Sequence, residues 1–325
     1  MKQRPFRWGI IGAGKIAGKF AEDLALHKDA ELYAIASRSQ KRADNLAEKY
    51  GVKKAFDSYE KMLTAGVDAV YVATRHPQHC EVTLLCLRAE IPVLCEKPLA
   101  MNSEEVNRMI TAAVKNHTFL TEAIWTRFLP SIIKVKDIID AGEIGEMLSL
   151  RADFGFNPPF DPNSRLFDRS LGGGALLDIG IYPLFLAQLI FGSPEKVQAV
   201  AHLGTTGADE ETLMQMRYPA GGFAHLHATL RSHTPSTADI YGSKGSIHIH
   251  SRWHEAKSFT VKLNSGEKRE YSFDFQGALG YYYEQKEVMQ CVRNGRKESN
   301  LMPLNFSRDL MQTMDAVREE IDLEY

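Results

Sequence analysis

The chain has 325 residues, more than one hydrophobic core usually serves, so two domains are the starting expectation. Its 39 Lys and Arg are balanced by 41 Asp and Glu, which leaves no basic field for nucleic acid and no polybasic stretch for a membrane surface, and so points to a small-molecule partner. Met1-Lys2-Gln3-Arg4-Pro5 runs into a strand-like segment without a signal-peptide apolar region, no run is read as approaching the roughly 20 apolar residues of a membrane span, and Cys80, Cys86, Cys95 and Cys291 show neither C-x-x-C nor zinc-finger spacing; together these read as a cytoplasmic protein without disulfides.

From Phe6 to Glu122 short apolar runs alternate with amphipathic stretches, the pattern of βαβ units around a parallel sheet. Strands are expected at Arg7–Ile11, Glu31–Ser37, Ala69–Ala73, Pro92–Cys95 and Thr118–Glu122, and helices at Ile16–His27, Gln40–Tyr50, Ser58–Thr64, His79–Ala89 and Ser103–Asn116, the last opening on Ser103 with Glu104 and Glu105 behind it. After Trp125 the texture changes. A helix near Ser131–Ala141 is followed by the Pro- and Asn-rich loop Asn157–Asn163, then by alternating strands such as Lys196–His202, Leu213–Tyr218, Gly222–Leu230 and Ser246–His250, joined by hairpin-type turns. Helices near Tyr281–Arg293 and Leu304–Ile321 close the chain. The fold class is therefore α/β: a Rossmann-type, doubly wound parallel sheet over residues 1–123, and over 124–325 an α/β domain with a large, mainly antiparallel, open-faced sheet.

The first strand ends in Gly12-Ala13-Gly14-Lys15-Ile16-Ala17, a G-x-G-x-x-G/A pattern between strand and helix. Gly12 allows the tight turn, Gly14 lets backbone approach a pyrophosphate, and Ala17 lets helix and strand pack closely while the helix N-terminus faces the anion. At the end of the second strand an acidic residue would take the 2′-hydroxyl of NAD, but the chain has Ser37-Arg38-Ser39-Gln40-Lys41-Arg42 there. A hydroxyl beside Arg38, Lys41 and Arg42 suits a 2′-phosphate, so the expected cofactor is NADP. The strand at Pro92–Cys95 leads into Glu96-Lys97-Pro98 at the carboxyl edge of the sheet, where open α/β folds bind ligands. In the second domain Leu171-Gly172-Gly173-Gly174 precedes Asp178 and Tyr182, four apart and on one face if the segment is helical.

The combination of GAGKIA, Glu96-Lys97-Pro98 and GGGALLDIGIYP resembles the Gfo/Idh/MocA oxidoreductase family along the whole chain. Within it, Glu122-Ala123-Ile124-Trp125-Thr126-Arg127-Phe128, with Tyr182 where many relatives carry His, is similar to the branch of dimeric dihydrodiol dehydrogenases and NADP-dependent D-xylose dehydrogenases. The resemblance implies hydride transfer between NADP(H) and a secondary carbinol or carbonyl of a sugar, polyol or trans-dihydrodiol, in a homodimer formed through the open sheet. It places Lys97, Asp178 and Tyr182 beside the nicotinamide as catalytic candidates. The cofactor candidates are Gly12, Gly14, Lys15, Ile16, Ser37, Arg38, Arg42, Thr74, His79, Glu96 and Lys97; the substrate candidates are Trp125, Arg127, Phe154 and Trp253. One departure is visible: after Thr74 this chain has Arg75, followed by His76-Pro77, where many relatives have a Pro or another small residue at the position of Arg75, so the loop near the nicotinamide is expected to differ.

Two other readings compete. His225 with His227, and His248 with His250, alternate in expected strands and project in pairs, but no Cys or acidic ligand accompanies them at typical spacing, and no metal is expected. A non-catalytic dinucleotide sensor of the same fold is the rival from another class, and the presence of Lys97, Asp178 and Tyr182 weighs against it.

Overall fold

The computed structural model describes residues Arg4–Tyr325. Met1–Gln3, and with them the start of the leader reading and of the 1–123 domain, lie outside the described residues. The chain forms two compact units, one of residues through Trp125 together with Phe275–Arg308, the other of Thr126–Asp274 with Asp309–Tyr325.

In the first unit the elements are β1 Phe6–Ile11, α1 Lys15–Leu24, β2 Ala30–Ala36, α2 Gln40–Tyr50, β3 Lys54–Phe56, α3 Tyr59–Leu63, β4 Ala69–Val72, α4 His79–Arg88, β5 Val93–Glu96, α5 Ser103–Lys115 and β6 Leu120–Ala123. The sheet order is β3-β2-β1-β4-β5-β6, parallel throughout. Trp8, Ile10, Ile11 and Tyr71 are fully buried, as parallel strands covered by helices on both faces require. The order reverses at β1, so the ends of β1 and β4 flank the crevice where such sheets bind ligands. Strand β3 was not expected, because three residues are too few to carry an alternation. Helix α5 is capped one residue earlier than expected: the Asn102 side chain accepts from Glu105 N at 2.9 Å, and the Glu105 carboxylate accepts from Met101 N at 3.0 Å.

The second unit contains α6 Pro130–Asp140, β7 Met147–Gly155, a π turn Leu176–Gly180 running into α7 Ile181–Phe191, then β8 Lys196–Leu203, β9 Asp209–Arg217, β10 Phe223–Thr229, β11 Ala238–Gly242, β12 Gly245–Ile249, β13 Ser258–Leu263 and β14 Lys268–Ser272. Its sheet runs β14-β13-β12-β11-β7-β10-β9-β8. Only β7 and β10 pair in parallel; the other neighbours are antiparallel. One face carries Met214, Met216, Ala224, Leu226, Ile240 and Ile247, all buried, and α7 packs on that side against β7 and β10. The segment Arg169–Phe191 is long and apolar enough to cross a membrane by length and composition, which corrects the expectation that no run approaches span length. With 83% of its most apolar stretch buried, it has the environment of a core helix: a helix apolar all round needs protein on every side.

The chain closes with α8 Tyr281–Arg293 and α9 Leu304–Glu320. Residues 275–308, expected in the second domain, cluster instead with the first unit, and the physical reason is a cap. Gly280 offers no side chain to the N-terminus of α8; the buried Asp23 of α1 supplies a carboxylate that accepts from Leu279 N (2.8 Å), Gly280 N (2.9 Å) and Tyr282 N (2.9 Å).

Candidate active site

In the first unit the turn after β1 is made of backbone. Gly12 has φ +105°, and a Cβ there would stand 2.4 Å from Ala73 O. Its N–H donates to Ala36 O (2.9 Å) while Ala73 N donates to Ile11 O (2.8 Å), so the glycine turn is pinned between β2 and β4. Gly14 precedes α1 without a side-chain cap and with open space where a Cβ would be, so the first N–H groups of α1 are free to meet an anion. Lys15 and Gly14 are exposed, Ile16 is half-buried, and Ala17 is buried beneath the turn. Across the crevice the Thr74 hydroxyl is buried and has no hydrogen-bond partner. An orphaned donor beside a Cβ-free turn fits a bound dinucleotide.

At the end of β2, Ser37 is buried and Arg38 and Arg42 are exposed. With the Gln78 amide turned oxygen-inward, both Nη atoms of Arg38 lie 3.0 Å from that oxygen; this holds the guanidinium over the edge of the crevice. The carboxyl edge of β5 carries the next group. Tyr71 donates its hydroxyl to Glu96 Oε1, and Glu96 Oε2 accepts from Lys97 N at 3.1 Å; Lys97 is half-buried and its bond to Pro98 is cis. Burial pushes the Tyr71 phenol up, with the Glu96 charge adding to it, so Tyr71 stays a donor. Beneath this turn the buried Glu122 accepts from Leu99 N (2.8 Å), and burial pushes its carboxyl up to about 7. Glu284 of α8 is fully buried, with both oxygens unpartnered. Burial, then the charges of Glu96 and Asp23, raise its pKa well above the ordinary carboxylate value.

His79 was expected at the cofactor, and the structure corrects this. Its ring is fully buried, with Nδ1 2.7 Å from Pro98 O and Nε2 3.2 Å from Thr74 O. Burial lowers its pKa, and a neutral imidazole carries one N–H, so His79 donates to one of these two carbonyl oxygens, and both its nitrogens face main chain instead of a ligand.

The second unit assembles its candidates from side chains. Tyr182, at the start of α7, lies against Phe154 of β7 (ring centroids 5.6 Å) and His254 (5.6 Å), and the last two rings stack at 4.0 Å. His254 occupies a 3₁₀ turn, Trp253–Glu255, whose backbone is held by Thr126 Oγ1 donating to His254 O. Asp178, on the π turn and nearly buried, pairs with Arg165 Nη1 at 2.9 Å. Trp253 is a second correction: it is wholly buried and its indole N–H donates to Asp153 O at 2.8 Å, so it is core, and it is its neighbour His254 that meets Phe154 and Tyr182. Trp125 packs on Tyr281 in the first unit (4.8 Å), and Arg127 is half-buried on the 3₁₀ turn Trp125–Phe128. Neither His254 nor Arg165 was singled out from sequence; no spacing rule connects either to Tyr182.

Three of the four paired histidines have protein partners. His227 meets Glu211 (2.9 Å), His248 meets Asp239 (2.7 Å), and His250 meets Ser258 (2.7 Å) and Thr260 (2.9 Å). Among the described residues no group of three or more His, Cys, Asp or Glu is placed to hold a metal ion.

Residues 6–123 match the model of an oxidoreductase family with an NAD-binding Rossmann fold, Gfo/Idh/MocA, and residues 132–248 match a C-terminal domain of the same family. The chain is 36% identical over 331 residues to trans-1,2-dihydrobenzene-1,2-diol dehydrogenase of Mus musculus, covering 98% of each, and 34% identical to the Homo sapiens enzyme at the same coverage. Among solved structures, a 3-ketoreductase from Actinomadura kijaniata in complex with NADP and TDP-benzene superposes with a TM-score of 0.86 at 26% identity, over 98% of each chain. An aldose-aldose oxidoreductase from Caulobacter crescentus, complexed with glycerol, has a TM-score of 0.89 over 98% of each chain and, at 23% identity, shares the fold. With a Gly12–Gly14 turn at the switch point of a parallel sheet, both family domains matched in order and full-length relatives above one-third identity, this chain belongs to the Gfo/Idh/MocA family of oxidoreductases.

Proposed function

We propose that the protein is an NADP(H)-dependent dehydrogenase/reductase acting on a secondary carbinol or carbonyl of a sugar, polyol or trans-dihydrodiol. The observation that carries this is the Gly12–Gly14 turn facing the orphaned Thr74 hydroxyl at the switch point. NADP is preferred to NAD because the end of β2 offers Ser37, Arg38 and Arg42 and no carboxylate. Residues Gly12, Gly14, Lys15, Ile16 and Thr74 would hold the dinucleotide, and the bound nicotinamide supplies or accepts the hydride.

The accompanying proton is left to the protein. Tyr182 is the proposed carrier, with Lys97 as the alternative; Asp178, paired with Arg165, orients hydroxyls, and Phe154 with His254 supplies an apolar wall. A sugar or diol substrate is supported by the names of the relatives, which act on dihydrodiols, or are a ketoreductase and an aldose oxidoreductase. A cytoplasmic, reducing setting is supported by four buried free thiols. A homodimer is supported by the outer face of the eight-stranded sheet, where Val200, Leu213, Phe223 and Tyr241 are exposed around a shallow depression of about 560 Å³. Light scattering that finds a monomer at micromolar concentration removes the dimer. The activity is tested by NADP⁺ reduction with a panel of aldoses, inositols and dihydrodiols. Turnover of at least one class is the expected result; tight NADPH binding with no turnover of any carbinol or carbonyl would make the protein a sensor.

A further inference from the structure

The segment that presents Asp178 and Tyr182 is not held by its own helix. Gly174 has φ +127°, and the π turn that follows begins at Leu176, whose N–H has no intrahelical acceptor at this position. It donates instead to Asp209 Oδ2 at 2.7 Å, across from β9. The same oxygen accepts from Thr212 Oγ1 at 2.7 Å, and Asp209 Oδ1 lies 3.4 Å from the Tyr325 hydroxyl. Asp209 and Thr212 are fully buried. A Cβ on Gly174 would stand 2.1 Å from Asp209 Oδ1, so the glycine is there to let the carboxylate reach the turn.

We propose that Asp209 is a positioning residue for this reaction: its carboxylate fixes the entry of the turn 174–180, and through that turn the places of Asp178 and Tyr182. The inference rests on the roles given to Asp178 and Tyr182 above. It accounts for a charged group buried where a neutral one would be less costly, since a carboxylate accepts the Leu176 N–H more strongly than an amide oxygen does. Burial pushes Asp209 up to about 7, against the opposing pull of its bonds from Thr212 and Leu176. The other titratable groups about this pocket are Tyr325 and the guanidinium groups of Arg169 and Arg318, both of which act on Tyr325; Arg318 is paired with Asp315. Protonation weakens the hold on Leu176 N–H, so turnover should fall as pH drops through about 7.

Three substitutions in the full-length protein test this. Asp209→Asn imitates the protonated acid: kcat is expected to be about 10-fold lower at pH 8.5 and flat from pH 6 to 8.5, without the acidic limb of the unsubstituted enzyme, and NADPH affinity should stay within about twofold. Asp209→Ala leaves Leu176 N–H unpartnered and should lower kcat about 100-fold, with faster amide hydrogen exchange across 172–182. Thr212→Val removes one bond to the charged form and should move the acidic limb to higher pH; it carries the test if the changes at position 209 prevent folding. An Asp209→Asn enzyme with an unaltered acidic limb and unaltered exchange across 172–182 overturns the proposal, as does an unmoved limb in Thr212→Val. Tyr182→Phe separates the two readings. If that enzyme turns over normally, the role given to Tyr182 fails, while hydrogen exchange in the Asp209 variants still decides whether Asp209 holds the turn.

Discussion

The cofactor crevice and the aromatic cluster around Tyr182 are built from different materials. The crevice is mostly backbone: a glycine at φ +105°, an uncapped helix N-terminus and two strand ends, pinned by main-chain bonds such as Gly12 N to Ala36 O. The cluster is side chain: Phe154 from mid-sheet, Tyr182 from a helix start and His254 from a 3₁₀ turn with Arg252 at φ +60° beside it. Backbone recognition is common to every dinucleotide of the class, whereas side chains can be exchanged without disturbing the fold. Generic binding should therefore reside in the first region, and chemistry and substrate choice in the second.

Four measurements would break or sharpen that division. Tyr182→Phe should cut kcat by roughly 10²–10⁴-fold and leave NADPH affinity unchanged in a fluorescence titration; near-normal kcat, with the loss found instead in Lys97→Met, would move the proton carrier to the first region. The next effect is on stability. Glu122 lies at about 7 in the fold against 4.5 for an ordinary Glu, a raised value, so its contribution is fully present below the unfolded value and is lost as pH rises through about 7. The loss is about 3 kcal/mol. Denaturant midpoints should fall between pH 4.5 and 7.5, where the buried Asp209 adds a fall of its own, and Glu122→Gln should make that portion shallower; an equally steep fall in the variant would contradict the assignment.

Arg38→Ala should weaken NADP(H) by about 10–100-fold, the scale of a hydrogen bond to a charged group, and leave NAD(H) nearly unaffected. Equal losses for both cofactors would mean that Arg38 only braces Gln78. The smallest change is expected from Phe154→Ala. Losing aromatic pairs worth about 0.5–1.5 kcal/mol each should raise KM for a ring substrate by about 2–10-fold while NADPH affinity holds. An equal loss for cofactor and substrate would erase the distinction between the two regions.

What could be read from residues alone follows the same line. The α/β alternation, the parallel sheet, the switch-point glycines and the absence of an acid after β2 are local properties, and helix α2 was placed at Gln40–Tyr50 as observed. Local steric and hydrogen-bonding rules suffice for them, because a turn, a cap or a strand is decided within about ten residues. Only the tertiary structure decided that 275–308 rejoins the first unit through Asp23, that His79 and Trp253 are buried supports, and that His254 and Arg165 stand beside Tyr182 and Asp178. Each of these depends on a partner distant in sequence or on which face of an element is covered. Periodicity reports that a residue is apolar or polar, and the pairing of elements in space determines what it touches.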